Sequence, residues 1–189
     1  MKRIFIATVV AASVISIGSA QAADAEALKA EAVNMVKAFG GPLKQALEDG
    51  MKQGGPVHTI GVCNEKAPEI AQQAAAGTGW SVARTSLKVR NAKNVPDAWE
   101  LATLTEFEAR KTGGENIDTI AKAEIVEENG QKTFRFMKAI GTVDVCLNCH
   151  GANLKPEVAA KVDSLYPNDQ ARGFSAGDIR GAFTLKKAL

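Results

Sequence analysis

Apolar residues recur at helical spacing over the first part of the chain and in alternation over much of the second. Residues 25–39 are alanine-rich and put Leu28, Met35 and Phe39 on roughly one helical face, and Gly40-Gly41-Pro42 is expected to break that helix. Pro42 suits the first turn of a second helix, through residue 52, carrying Leu43, Ala46 and Leu47. Gly54-Gly55-Pro56 ends it. Residues 57–63 form a short apolar segment. Residues 64–68 open a further helix through residue 76, with Pro68 in the first turn, where its missing N–H is harmless. Gly77 and Gly79 close it. On this reading Cys63 stands just before a helix N-terminus, an environment that lowers a thiol's pKa.

Residues 80–89 alternate as a strand, with Val82 and Arg84 on one face and Ala83, Thr85, Leu87 and Val89 on the other. A loop over 91–96 leads to Asp97, which with Glu100 makes a capping-box pair at the start of a helix bearing Trp99, Leu101, Leu104 and Phe107. That helix stops before Gly113-Gly114. Residues 121–127 and 132–140 flank Glu128-Asn129-Gly130-Gln131, a hairpin signal. Residues 156–165 read as a helix and 181–187 as a last strand. A hairpin with helices set between other strands argues for an α+β fold, not a helical one.

Composition adds a leader to this picture. Lys2-Arg3, an uncharged apolar run over 4–17 and Ala20-Gln21-Ala22 read as a secretory signal peptide over residues 1–22. The run, about fourteen residues, is short of the roughly twenty that span a bilayer. No cysteine follows it to take a lipid. The mature chain is expected to start at Ala23 with no transmembrane anchor, exported to the periplasm if the source is Gram-negative. Removing Lys2 and Arg3 from the 23 basic residues leaves 21 against 21 acidic ones. With no basic stripe, nucleic acid is not an expected partner.

The chemistry centres on Cys146-Leu147-Asn148-Cys149-His150, the c-type haem attachment signature. Each thiol can add to one vinyl group of a porphyrin, and the adjacent histidine points its imidazole at the iron. One covalent haem c is the expected cofactor. Three other readings carry less weight. A redox dithiol usually sits near a βαβ pattern and has no need of the histidine. A zinc site would have to draw on Cys63, Cys146, Cys149 and His150, with the adjacent Cys149 and His150 awkward in one tetrahedron. A structural disulfide is the plainest. Once haem takes two of the three cysteines, Cys63 is left over, and a free thiol in an exported chain calls for a reason. Its bland reading is a small buried hydrophobe. The residues leave His58, Met35, Met51 and Met137 open as rival second ligands. His58 also reads as a surface histidine, and the methionines as packing residues. Arg84, Arg90 and Arg180 are candidate partners for the haem propionates. Trp80, Trp99, Phe134 and Phe136 are core or haem-packing residues.

Several segments together resemble a known family. They are Gly61-Val62-Cys63 with Ala67-Pro68-Glu69-Ile70-Ala71, then residues 84–91 (Arg-Thr-Ser-Leu-Lys-Val-Arg-Asn) and residues 94–100 (Asn-Val-Pro-Asp-Ala-Trp-Glu). The haem motif through Gly151, Tyr166-Pro167 and residues 177–182 (Gly-Asp-Ile-Arg-Gly-Ala) complete the pattern. Over about residues 57–187 the chain resembles the Tll0287-like c-type haem domains. Ala92 stands where relatives often have proline, and Phe174 where they often have tyrosine. The resemblance implies a PAS-like antiparallel sheet with flanking helices over 57–189, preceded by a helical segment over 23–56. It also implies iron held by His150 on one side and Cys63 on the other.

Thiolate ligation favours ferric iron and a low potential. The expected function is low-potential electron transfer with an exported redox or signalling protein as partner. The alternative is a redox or gas (CO or NO) sensor that works by release of Cys63. Enzymatic haem chemistry ranks below both, because both axial positions are taken. The early helices either pack on the domain or join two copies as a homodimer.

Overall fold

The structure, a computed structural model, describes residues 17–128 and 130–189. Residues 1–16, with Lys2, Arg3 and nearly all of the leader's apolar run, lie outside the described residues, as does Asn129 at the hairpin tip. Helix α1 (Ile17–Ala75) is followed by β1 (Trp80–Thr85), α2 (Ala98–Thr112), β2 (Ala121–Glu128), β3 (Gln131–Gly141), α3 (Asp144–His150), α4 (Pro156–Leu165) and β4 (Ile179–Ala188). The strands make one antiparallel sheet in the order β1-β4-β3-β2. The α+β expectation therefore holds. Among the described residues no helix is long and apolar enough to cross a membrane.

Helix α1 departs from the sequence reading in three places. It does not break at Gly40-Gly41-Pro42, it contains the segment expected as a separate apolar stretch, and it carries Pro42 and Pro68 within it. The reason at Gly40 is packing. A Cβ there would lie 3.0 Å from Cζ of Phe183, so this glycine lets the helix approach β4 closely. Each proline leaves one carbonyl four residues earlier without its helical partner, a loss the surrounding turns absorb. The true break is at Gly54 and Gly55, where Gly55 takes φ 66°, and only glycine enters that region at little cost. Two limbs result, 17–53 and 56–75. Close to the break a Cβ on Gly50 would lie 3.0 Å from Thr59 Oγ1 and 3.3 Å from its Cα, so the limbs fold tightly against each other there.

Both limbs cover one face of the sheet. Ala32, Met35, Val36 and Phe39 of the first limb, spaced at helical intervals, pack with Trp80, Val82, Phe134, Phe136 and Leu185. Ile70, Ala71, Ala74 and Ala75 of the second limb join them. The segment before residue 57 thus shares its core with the sheet. Helix α2 covers the opposite face: Leu104 and Phe107 pack with Ile120, Met137, Ala139, Ile179 and Ala182. Strand β3 is buried on both sides, which is why 134–137 are all buried although alternate residues face different helices. The capping box of Asp97 and Glu100 forms as expected, and so does the hairpin.

The register between β3 and β4 slips once. Ile140 pairs with Gly181 and Gly141 pairs with Ile179, leaving Arg180 as an extra residue in β4. A one-residue slip moves side chains to the other face. Ile179 and Ala182 both face α2, so Arg180 is turned to the α1 face, where α3 lies. Gly181 makes this possible: it has φ 158°, and a Cβ on it would meet Thr85 O at 2.4 Å.

Candidate functional site

The short helix α3 leaves the end of β3 and carries Cys146, Cys149 and His150. On a helix, residues three apart share a face, so the two thiols stand side by side. The helix stops at Gly151, where a Cβ would lie 2.7 Å from Leu147 O, and the Gly151 N–H donates to that carbonyl at 3.0 Å. A strap over residues 169–174 then crosses His150. Phe174 N–H donates to His150 O at 3.0 Å, and Gly173 N–H to Gly151 O at 3.2 Å. The Phe174 ring stands edge-on to the imidazole at 6.1 Å.

Arg90 ties this strap down. It donates through Nε to Asp169 at 2.9 Å and through Nη2 to Asp169 at 3.3 Å, to Cys149 O at 2.6 Å and to Ala171 O at 3.1 Å. Arg172 also holds Asp169, at 2.7 Å. Burial opposes the ionised form of Asp169, but Arg90 and Arg172 together hold its carboxyl below the ordinary carboxylate range.

His150 Nδ1 lies 2.8 Å from Ala171 O. A carbonyl only accepts, so Nδ1 carries the proton and Nε2 keeps its lone pair. Burial, then Arg180 and Arg90, pull the imidazole pKa down to about 3. The histidine is therefore neutral at working pH, the form that binds metal. Arg180 Nε lies 3.2 Å from Nδ1 and 3.4 Å from Nε2, beside the ring. Its Nη1 donates to Ser86 Oγ at 3.0 Å. Burial and the neighbouring Arg90 and Arg84 bring the Arg180 pKa down to about 10.

Cys63 lies inside the second limb of α1, not before a helix N-terminus, so the sequence expectation of a dipole-lowered thiol is corrected. Burial pushes the Cys63 thiol up, with Arg84 and Arg90 acting against it. One turn earlier on the same side, Ile60 packs with Cys149, Val158, Val162 and Tyr166, which brings this part of α1 to the motif helix. All three cysteines are free thiols and half-buried. No disulfide joins Cys146 and Cys149, and among the described residues no three His, Cys, Asp or Glu side chains gather as a metal cluster, so the Cys3His zinc arrangement is not formed. The rival ligands stand elsewhere. His58 is exposed and abuts the Gly54 break. Five residues along a helix also turn it about 140° away from Cys63. Met35 and Met137 are buried in the two cores, and Met51 is on the first limb.

The fold thus brings Cys63, Arg84, Arg90, Cys146, Cys149, His150 and Arg180 to one end of the α1 face. Sequence reasoning missed the Ala171 carbonyl, Asp169 and Ser86. No local pattern marks them, because each acts on a residue far away in the chain. The residues fit a c-type haem: two free thiols on one helix turn, a neutral histidine with Nε2 unprotonated, a third sulfur at Cys63, and three arginines of which only Arg90 has a carboxylate partner among the described residues. That surplus of positive charge suits a group bearing two carboxylates.

Residues 8–187 match the family model described as Tll0287-like. Among solved structures, that of the cyanobacterial heme-protein Tll0287 superposes with a TM-score of 0.62 at 25% identity, over 84% of this chain and 95% of its own. A comparison with curated proteins gives no match.

Proposed function

The chain belongs to the Tll0287-like family, and from that premise we propose that it is an exported monohaem c-type cytochrome of PAS-like architecture that carries electrons at low potential. The observation that carries the reading is the hydrogen bond from His150 Nδ1 to Ala171 O. It fixes the tautomer and the ring orientation, as outer partners of metal-binding histidines do. Cys146 and Cys149 would hold the porphyrin by thioethers, His150 would bind iron through Nε2, and Cys63 would bind from the other side. Bound here, haem supplies a one-electron iron couple. The residues set its character: an anionic sulfur favours the ferric state, where methionine would raise the potential. With His150 and Cys63 both bound to iron, no position would be left for a substrate, and the reading is of a carrier, not an enzyme.

One observation favours the sensor as a second reading. Burial raises the Cys63 thiol above its ordinary value, and Arg84 and Arg90 offset this only in part. A sulfur that takes up a proton readily would leave ferrous iron more easily than ferric iron, which would open a position for CO or NO.

The test is attachment. Haem should stay on the chain through acid–acetone extraction, and Cys146→Ser with Cys149→Ser should abolish that. Loss of all haem from the unaltered protein would overturn the c-type reading. The reduced protein should refuse CO if it is a carrier, and bind it if Cys63 is released.

A further inference from the structure

We propose that Arg84 is the cationic partner of the Cys63 sulfur, a positioning residue that holds this sulfur on iron, in place of the propionate-binding role its sequence context suggests. The inference rests on Cys63 being the axial ligand.

Placement comes from the way α1 turns into β1. The second limb ends at Ala75 and β1 starts at Trp80, so the two run antiparallel, one lying over the other. Trp80 and Val82 face the limb and pack in the core shared with Ala71, Ala74 and Ala75. By alternation Arg84 faces it too. Four strand residues advance about 13 Å. Eight helical residues advance about 12 Å, so Arg84 comes level with Ala67, which is buried. Cys63 is one turn further along the same stripe, because residues i and i+4 share a face. A guanidinium on its long stem spans that turn. The guanidinium stands over the Phe39 ring, with Cζ 5.8 Å from the ring centre.

Charge then argues for the pairing. Among the described residues Arg84 has no carboxylate partner, whereas Arg90 is paired with Asp169 and Arg180 is held by Ser86 and the side of His150. Burial disfavours the Arg84 cation, and the groups near enough to offset this once ionised are the Cys63 sulfur first and the Tyr166 hydroxyl second. A half-buried cation without a counter-ion carries a desolvation cost, and an iron-bound thiolate a turn away would be the anion that offsets it. Its N–H groups can also donate to the sulfur, which tunes a metal ligand from its outer side.

The test compares Arg84→Met, Arg84→Gln and Arg84→Lys in the haem-loaded protein, with Cys63→Ala as reference. Arg84→Met and Arg84→Gln should lose the thiolate-type charge-transfer bands and the low-spin ferric EPR signal, as Cys63→Ala does, while haem stays covalently attached. Arg84→Lys, which keeps the charge, should retain them. If Arg84→Met fails to fold, the glutamine and lysine variants decide the question alone. Full retention of the thiolate signature in Arg84→Gln, with only the potential moved, would overturn the proposal and return Arg84 to the propionates. A Cys63→Ala protein with an unaltered spectrum would instead remove the ligand reading itself.

Discussion

The two faces of the sheet hold their arginines in opposite ways. On the α2 face, Arg135 is 2% exposed and held by carboxylates. Its Nη2 lies 2.6 Å from Asp97 and 3.4 Å from Glu100, and its guanidinium sits 4.4 Å from the Trp99 ring centre. Thr184 donates to Glu100 at 2.7 Å, and Lys186 donates to Asp97 at 2.8 Å. The same two carboxylates cap α2, so one network joins helix start to sheet. On the α1 face, Arg84 and Arg180 have no such carboxylates among the described residues. Their neighbours are a cysteine, a histidine, hydroxyls and ring faces. The α2 face is closed on itself and holds the fold. The α1 face is electrostatically open and suits an anionic group brought in from outside.

Arg135 is where this contrast can be tested with the largest effect. Arg135→Met leaves Glu100 buried without its cation, and loss of one partner of a buried pair costs about 3 kcal/mol. In a chain of this size that is a fall of roughly 6–12 °C in melting temperature. Thermal unfolding followed by circular dichroism checks it, and a fall of under a degree would show that the network contributes nothing.

Gly181→Ala comes next. Its Cβ would meet the Thr85 carbonyl at 2.4 Å and its φ is 158°, so the β1–β4 pairing must shift. Overpacking of this kind costs about 1–3 kcal/mol. Because Gly181 sets the bulge that turns Arg180 toward His150, the variant should also disturb the haem spectrum, whereas Arg135→Met should leave it intact.

Arg84→Met in the haem-free chain should be neutral or slightly stabilising, since it removes a half-buried cation that lacks a carboxylate. A loss of stability equal to that of Arg135→Met would erase the distinction between the faces.

The smallest effect is a pH dependence. Burial works against the ionised form of Asp97, but hydrogen bonds from Arg135 and Lys186 hold its carboxyl well below the ordinary range. A depressed carboxyl gives stability that is complete above its unfolded value near 4 and is lost as pH falls through the lower folded value. Melting temperature should therefore drop on acidification below about pH 4, and drop less in Asp97→Asn.

Much of the α2 face was legible in the sequence. Asp97 and Glu100 stand at capping-box spacing, Leu104 and Phe107 at helical spacing, and Asn129-Gly130 marks the hairpin, all of them local signals. On the α1 face the motif on α3 was legible because its cysteines and histidine are close neighbours in the chain. The path of α1 was not. Gly40 reads as a breaker but is a contact glycine under Phe183, and Cys63 reads as a helix start only because Pro68 suggests one. The bulge that turns Arg180, and the strap whose Ala171 carbonyl fixes His150, depend on pairings across tens of residues, which periodicity does not encode.

Whether the open face holds a haem between His150 and Cys63 is decided by the ferric EPR and optical spectra of Cys63→Ala beside those of the unaltered protein. The unaltered protein should be low-spin and thiolate-type, and the variant should lose those bands, rise in potential and accept external ligands. A Cys63→Ala protein with the same spectrum and the same potential would contradict ligation by Cys63.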